Sequence, residues 1–206
     1  MRTLLPSIRL AAILTAILFA GALSAIAKVD TVVIDAGHGG FNLGQKNGKV
    51  YEKWLALDVS LRLDRYLKSK GVKTVLTRRG DNFISLSERV RIGNRYARRS
   101  VFVSVHFNGA SNRNAAGLET FYHSSQSKAL ASAIQKQIVP AVRGKNRGVK
   151  YARFHVIRNS KQPAVLVECG FLTNEAEMRR CKTGSYRQAM AEAIGRGIIA
   201  HLKAIN

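Results

Sequence analysis

Three short stretches carry side chains able to bind a divalent metal or move a proton. They are a histidine among glycines in Asp35-Ala36-Gly37-His38-Gly39-Gly40, a second in Ser104-Val105-His106-Phe107-Asn108, and a carboxylate in Val167-Glu168-Cys169-Gly170-Phe171. The glycines let the chain bend tightly around His38 and leave its imidazole accessible. Glu168 follows an apolar run, where an ionised carboxylate is costly unless it has a partner. A lone histidine at a strand end is usually a hydrogen-bonded structural residue. Two of only 5 histidines in equivalent settings, together with Glu168, are better explained by one shared ion. Two histidines, one carboxylate and an open position make a catalytic zinc arrangement, whereas a structural site is closed by four protein ligands. The third ligand is open at this point. Glu168 either binds metal or acts as a base beside it, and Glu52, in Tyr51-Glu52-Lys53-Trp54-Leu55, is the other candidate, although a first-turn acid also simply suits the helix dipole.

Such residues need a scaffold that gathers strand ends. Short β-branched runs at Thr31 to Ile34, Val72 to Thr77, Val101 to Val105, Leu118 to Tyr122 and Ala164 to Val167, with a weaker one at Phe154 to Ile157, alternate with helical patterns. Leu55, Val59, Leu63 and Leu67 recur at near-helical spacing, as do Leu86, Val90 and Ile92, then Leu130, Ile134 and Ile138. Met190, Ile194, Ile198 and Leu202 close the chain at a four-residue step. This alternation predicts a single α/β domain with a central, mostly parallel twisted sheet of about six strands flanked by helices on both faces. In such sheets ligands sit outside the carboxyl ends of the strands, which is where His38, His106 and Glu168 are expected.

The 206 residues are 46% hydrophobic, which suits one core and excludes a disordered or fibrous chain. Lys and Arg number 34 against 12 Asp and Glu, a formal net charge of +22, so an anionic partner is expected. Residues 1 to 27 read as a secretory signal: Arg2 and Arg9, an apolar run from Leu10 to Leu23, then Ala25-Ile26-Ala27 as a cleavage site. The run is shorter than the roughly 20 residues of a spanning helix, so the expectation is a mature catalytic domain over 28 to 206 without a stable membrane anchor, an uncleaved anchor being the alternative. Export would put Cys169 and Cys181 in an oxidising compartment, either as a disulfide or as two separately buried thiols. No Cys-x-x-Cys spacing marks a thiolate zinc cage.

In sequence these stretches resemble the zinc-dependent N-acetylmuramoyl-L-alanine amidases, amidase type 3, which cut bacterial peptidoglycan. Val33 to Gly40 is similar to the opening motif of that family, Glu52-Lys53 before an apolar helix to its second, Ser104 to Asn108 to its third, and Pro163 to Asn174 to its fourth. Weaker likenesses run through Thr77-Arg78, Arg89, Asn94, Gly117 to Tyr122 and Arg147-Gly148-Val149-Lys150, so that the resemblance extends from about Val32 to about Leu202. Phe107, Gly93 and Cys181 depart from the pattern, and none of them replaces an implied ligand.

The resemblance implies one zinc ion held by His38, Glu52 and His106, with Glu168 as catalytic general acid/base, and peptidoglycan as substrate. Asn108 is a candidate substrate contact, and Asp35 a candidate to orient His38. His123, His155 and His201 are assigned surface or packing roles, since the ligand positions are filled. Arg89, Arg91, Arg95, Arg98 and Arg99 around one helix, and Arg143, Lys145, Arg147 and Lys150 in one loop, would favour a wall rich in peptide carboxylates. Only 24 residues separate Tyr122 from Arg147, too few for the inserted helix that plugs the zinc site of some Gram-negative relatives, which implies an open enzyme. Expected localisation is periplasmic or in the extracellular wall, as a monomer without nucleic acid. Two other readings stay in view: a secreted basic peptidoglycan-binding protein without catalysis, and a zinc peptidase acting on the stem peptide.

Overall fold

The structure is a computed structural model that describes residues 28–206; the expected signal segment lies outside the described residues. Its centre is a six-stranded sheet built from β1 (Thr31–Ala36), β4 (Lys73–Leu76), β5 (Ser100–Asn108), β6 (Leu118–Tyr122), β7 (Asn146–Tyr151) and β8 (Ala164–Phe171). Strand order is β4-β1-β5-β8-β6-β7. The first four strands in that order are parallel, β6 runs antiparallel to β8, and β7 runs parallel to β6. A two-stranded ribbon, β2 (Lys46–Asn47) and β3 (Val50–Tyr51), precedes the first helix.

The two sheet faces are covered unequally. On one face lie α1 (Glu52–Ser69), α3 (Ser125–Ala141) and α6 (Gly184–Ile205), with the short α5 (Glu175–Cys181) beside β8. The four-residue steps Leu55-Val59-Leu63-Leu67 and Met190-Ile194-Ile198-Leu202 bury their apolar stripes there against Val101, Val103, Val105, Val165 and Val167. Among the described residues, the opposite face carries only α2 (Leu86–Asn94) and the single turn α4 (His155–Arg158), over Val33, Phe102, Ala164 and Leu166. Ser85 caps α2 by accepting from the Glu88 amide, and Thr183 caps α6 by accepting from Tyr186. The thinner cover leaves this second face open toward the sheet's C-terminal edge, and the functional side chains point there.

Three expectations change. Phe154 to Ile157 is not a strand, since His155–Arg158 form a helical turn; the sixth strand is Asn146–Tyr151, expected to be loop. As the edge of the sheet it carries Arg147 and Lys150 where an inner strand would carry apolar residues, which hides it from an apolar-run search. The arginines between 89 and 99 do not all lie around one helix: α2 ends at Asn94, a 3-10 turn spans Ala97–Arg99, and Arg89 is buried. The segment between Tyr122 and Arg147 forms α3, packed on α6 and β6. Cys169 and Cys181 are both free and buried, which is the two-thiol alternative.

Candidate active site

His38 and Glu52 reach the site from opposite sides of a glycine-rich loop. His38 follows β1 by two residues and has φ 60, a left-handed conformation unusual for a non-glycine residue. Its Nδ1 lies 2.8 Å from Asn42 Oδ1, and Gly44 N–H donates to the same oxygen at 3.2 Å, which orients the amide. An amide oxygen only accepts, so Nδ1 donates and Nε2 faces Glu52. Arg89 donates to the His38 carbonyl at 2.6 Å, holding the strained residue from behind.

Glu52 is the first residue of α1, and its carboxylate sits between both imidazoles. Oε2 lies 3.0 Å from His38 Nε2 and accepts from the Gln45 amide; Oε1 lies 2.9 Å from His106 Nδ1 and accepts from the Phe107 amide. Burial alone would raise the pKa of Glu52, but the hydrogen bonds from His106 and His38 outweigh it and hold the carboxyl far below the usual range. Burial conversely disfavours the charged form of His38, yet Glu52, helped by Asn42, leaves its pKa raised. Two glycines make this approach feasible. A Cβ on Gly37 would stand 2.5 Å from His106 Cε1, and one on Gly44, at φ 67, would stand 2.5 Å from Glu52 Oε2.

His38, Glu52 and His106 each offer a ligand atom, all within 4.8 Å of one another. Ligand atoms of a tetrahedral zinc ion lie about 3.4 Å apart, so two imidazoles and a carboxylate at these separations fit such an ion. His106 and Glu168 are register partners on β5 and β8, which puts both side chains on the same sheet face. Glu168 is nearly buried and its Oε2 has no hydrogen-bond partner. Burial first, then the charges of Glu52 and Glu119, push its carboxyl well above the ordinary range. All four residues line one open cleft of about 650 Å³, walled by Phe83, Ile84, Leu86, Phe154 and Val156 among others.

Asp35 does not orient His38, contrary to expectation. It is fully buried and accepts from Arg89 Nη1, Thr77 Oγ1 and Ser104 Oγ, each at 2.7 Å. The strand's alternation turns it into the sheet face beneath the loop, and only through Arg89 does it communicate with the His38 backbone. Asn108 lines the cleft, but its amide already donates to Glu119 Oε1 at 2.6 Å and its oxygen accepts from Gly109. Among the remaining histidines, His155 lines the cleft wall, His123 contacts the Ala152 carbonyl and His201 is buried. Two residues escaped the sequence reading: Asn42, the partner of His38, and Glu119, register partner of Glu168. A carboxylate inside the run Leu118-Glu119-Thr120-Phe121 was as visible a signal as Glu168 itself.

Comparison with known proteins agrees with this architecture. The profile of the amidase type 3 family, described as N-acetylmuramoyl-L-alanine amidase, matches residues 32–200. Bacillus subtilis (strain 168) YqiI, an uncharacterized protein, is 39% identical over 172 residues, covering 82% of each chain. N-acetylmuramoyl-L-alanine amidase LytC of the same organism is 35% identical over 178 residues, which cover 84% of this chain and 36% of LytC, so the chain spans about a third of that relative. Among solved structures, the catalytic domain of CwlV, an N-acetylmuramoyl-L-alanine amidase from Bacillus (Paenibacillus) polymyxa var. colistinus, superposes with a TM-score of 0.82 at 37% identity, covering 84% of this chain and 98% of that one. With fold, site and matched length in agreement, the chain belongs to the N-acetylmuramoyl-L-alanine amidase family of type 3.

Proposed function

We propose that this protein is an exported, zinc-dependent peptidoglycan amidase that hydrolyses the bond between the lactyl group of N-acetylmuramic acid and L-alanine of the stem peptide. The observation that carries the reading is the unpartnered Glu168 carboxyl facing the same cleft as the His38–Glu52–His106 cluster. Zinc held by those three residues would supply Lewis-acid chemistry, acidifying water and polarising an amide carbonyl. Glu52 supplies negative charge to the cluster, and its contacts to Gln45 and Phe107 amides keep it in place.

Glu168 moves the proton. Hydrolysis adds the OH of water to the lactyl carbonyl carbon, breaks the C–N bond, and needs the remaining proton on the departing alanine nitrogen. A carboxyl whose pKa is raised by burial and by neighbouring acids is suited to take that proton and return it, a role typically worth about 10²- to 10⁴-fold. Asn42 and Arg89 position His38 from its two sides. Staphylococcus aureus LytH, 30% identical over 177 residues, is named a probable cell wall amidase, which supports a role outside the cytoplasm; no described helix is long and apolar enough to cross a membrane.

The test is mass spectrometry of purified peptidoglycan after digestion with zinc, with chelator, and with Glu168→Ala. Free intact stem peptides that disappear in both controls support the proposal. Products with part of the peptide still on muramic acid would instead indicate a stem-peptide peptidase, and binding without any product a non-catalytic wall protein.

A further inference from the structure

The Arg147-Gly148-Val149-Lys150 segment has no part in the zinc chemistry, yet it runs along the edge of the face that carries Glu168. Crossing the sheet from the metal cluster, one meets His106 on β5, Glu168 on β8, Glu119 on β6, and then β7. Glu119 is buried and its carboxylate accepts from Asn108, from Arg147 at 3.0 Å, and from Lys150. The two cations lie above the acid: the side chains of Arg147 and Lys150 are 29% and 41% exposed against 5% for Glu119. One carboxylate under two cations leaves one positive charge in excess, presented to solvent. Arg147 is further committed to the Phe171 ring, 4.8 Å from its guanidinium, while Lys150, paired with Glu119 as well, is the more exposed of the two cations and the one whose remaining N–H groups can meet a ligand.

The opposite wall offers no such charge. Phe83, Ile84 and Leu86 line it, and Arg89, the one Lys or Arg among the cleft-lining residues, is spent on Asp35; Arg147 and Lys150 stand beyond the lining, past Asn108, at the edge of the sheet. Chemistry supplies the direction. On the amidase reading, the leaving nitrogen takes its proton at Glu168, and a peptide half lying on the side of β8 that leads to β6 and β7 would pass Glu119 and Lys150. Adjacent strands lie about 4.8 Å apart, which puts Gly148, opposite Glu119 on β7, roughly 10 Å from Glu168, with Lys150 two residues further along that edge. An extended dipeptide spans about 7 Å, and the Lys150 side chain covers the difference. The α-carboxylate of the residue following L-alanine therefore falls within reach.

We propose that Lys150, held by Glu119, is a specificity-determining residue that binds the first free carboxylate of the stem peptide and so orients the peptide across β6 and β7. This rests on the amidase reading above. Two N-acetylmuramoyl dipeptides make the test, L-alanyl-D-glutamate with its α-carboxylate free and the same compound with that group amidated. Cleavage by the zinc-loaded protein and by Lys150→Met and Lys150→Arg is followed by chromatography, and binding is measured by calorimetry in a zinc-loaded Glu168→Gln background. The expected result is a KM about 5-fold lower for the free carboxylate, a preference that Lys150→Met abolishes and Lys150→Arg retains, with the effect in KM rather than kcat. Cleavage of both compounds without preference, or a preference surviving Lys150→Met, overturns the subsite and leaves the amidase reading standing. Binding that depends on Lys150 and on the carboxylate, without cleavage of either compound, supports the subsite and overturns the amidase reading. Absence of binding overturns the subsite.

Discussion

Asp35→Asn separates a structural from a metal-orienting role for the carboxylate nearest His38 in sequence. The substitution preserves shape. Its amide oxygen can still face Arg89 and Thr77, and the new NH₂ faces Ser104, whose hydroxyl can rotate to accept. What it removes is the negative charge opposite a guanidinium that is 3% exposed. Breaking one side of a buried ion pair typically costs about 3–5 kcal/mol, a large share of the roughly 5–15 kcal/mol that holds a domain together. For a domain of this size, about 1 kcal/mol moves the thermal midpoint by about 2–4 °C, so a fall of about 6–20 °C is expected. The assay is thermal and urea unfolding in chelator, so that metal linkage does not enter, beside a zinc titration of the folded variant. Zinc affinity should weaken less, because His38 keeps Asn42 and Glu52 as ring partners and feels Asp35 only through Arg89. Metal-free stability within about 1 kcal/mol of wild type, coupled to a large loss of zinc affinity, would refute this reasoning.

Further outcomes follow from the same geometry. Burial pushes Asp35 up, but Arg89 and the Ser104 and Thr77 hydroxyls more than reverse it, so its folded pKa lies below the unfolded value; the stability it contributes is present above about pH 4 and is lost as pH falls through the folded pKa, which acid unfolding of wild type against Asp35→Asn will show as a difference that shrinks in acid. Gly44→Ala puts a methyl group where Glu52 Oε2 and His38 Cδ2 now stand, at a positive φ, so zinc titration should show weakened binding in a chain that circular dichroism still finds folded. Zinc should raise the thermal midpoint and chelator lower it, with the gain smaller in acid because His38, whose pKa is raised by Glu52, must lose its proton to ligate. Alkylation of the unreduced, denatured protein should modify both Cys169 and Cys181, and a mass showing neither modified would contradict the two free thiols.

Much of the fold can be read from local pattern. Inner strands such as Val101 to Val105 and Ala164 to Val167 are buried on both faces and read as apolar runs, and α1 and α6 announce themselves by four-residue steps, because burial dictates residue type where packing is two-sided. Strand ends were less legible. β5 continues to Asn108 and β8 to Phe171, so His106 and Glu168 lie within strands whose last turns of pattern switch from packing to chemistry. The edge strand β7 escaped for a related reason, since its solvated side imposes no apolar demand.

The composition of the site was therefore written in the chain: two histidines, Glu52 and Glu168 are residue types whose placement beside glycines or in apolar runs is costly unless they are used. Which groups they answer to was not. Asn42 takes the second nitrogen of His38 through the fold of their shared loop, whereas Asp35 turning to Arg89 rather than His38, and Glu119 standing opposite Glu168 with Lys150 beside it, are consequences of strand alternation and register. Those contacts join residues up to 54 positions apart, and local spacing carries no information about a pairing that only the order of strands in a sheet creates.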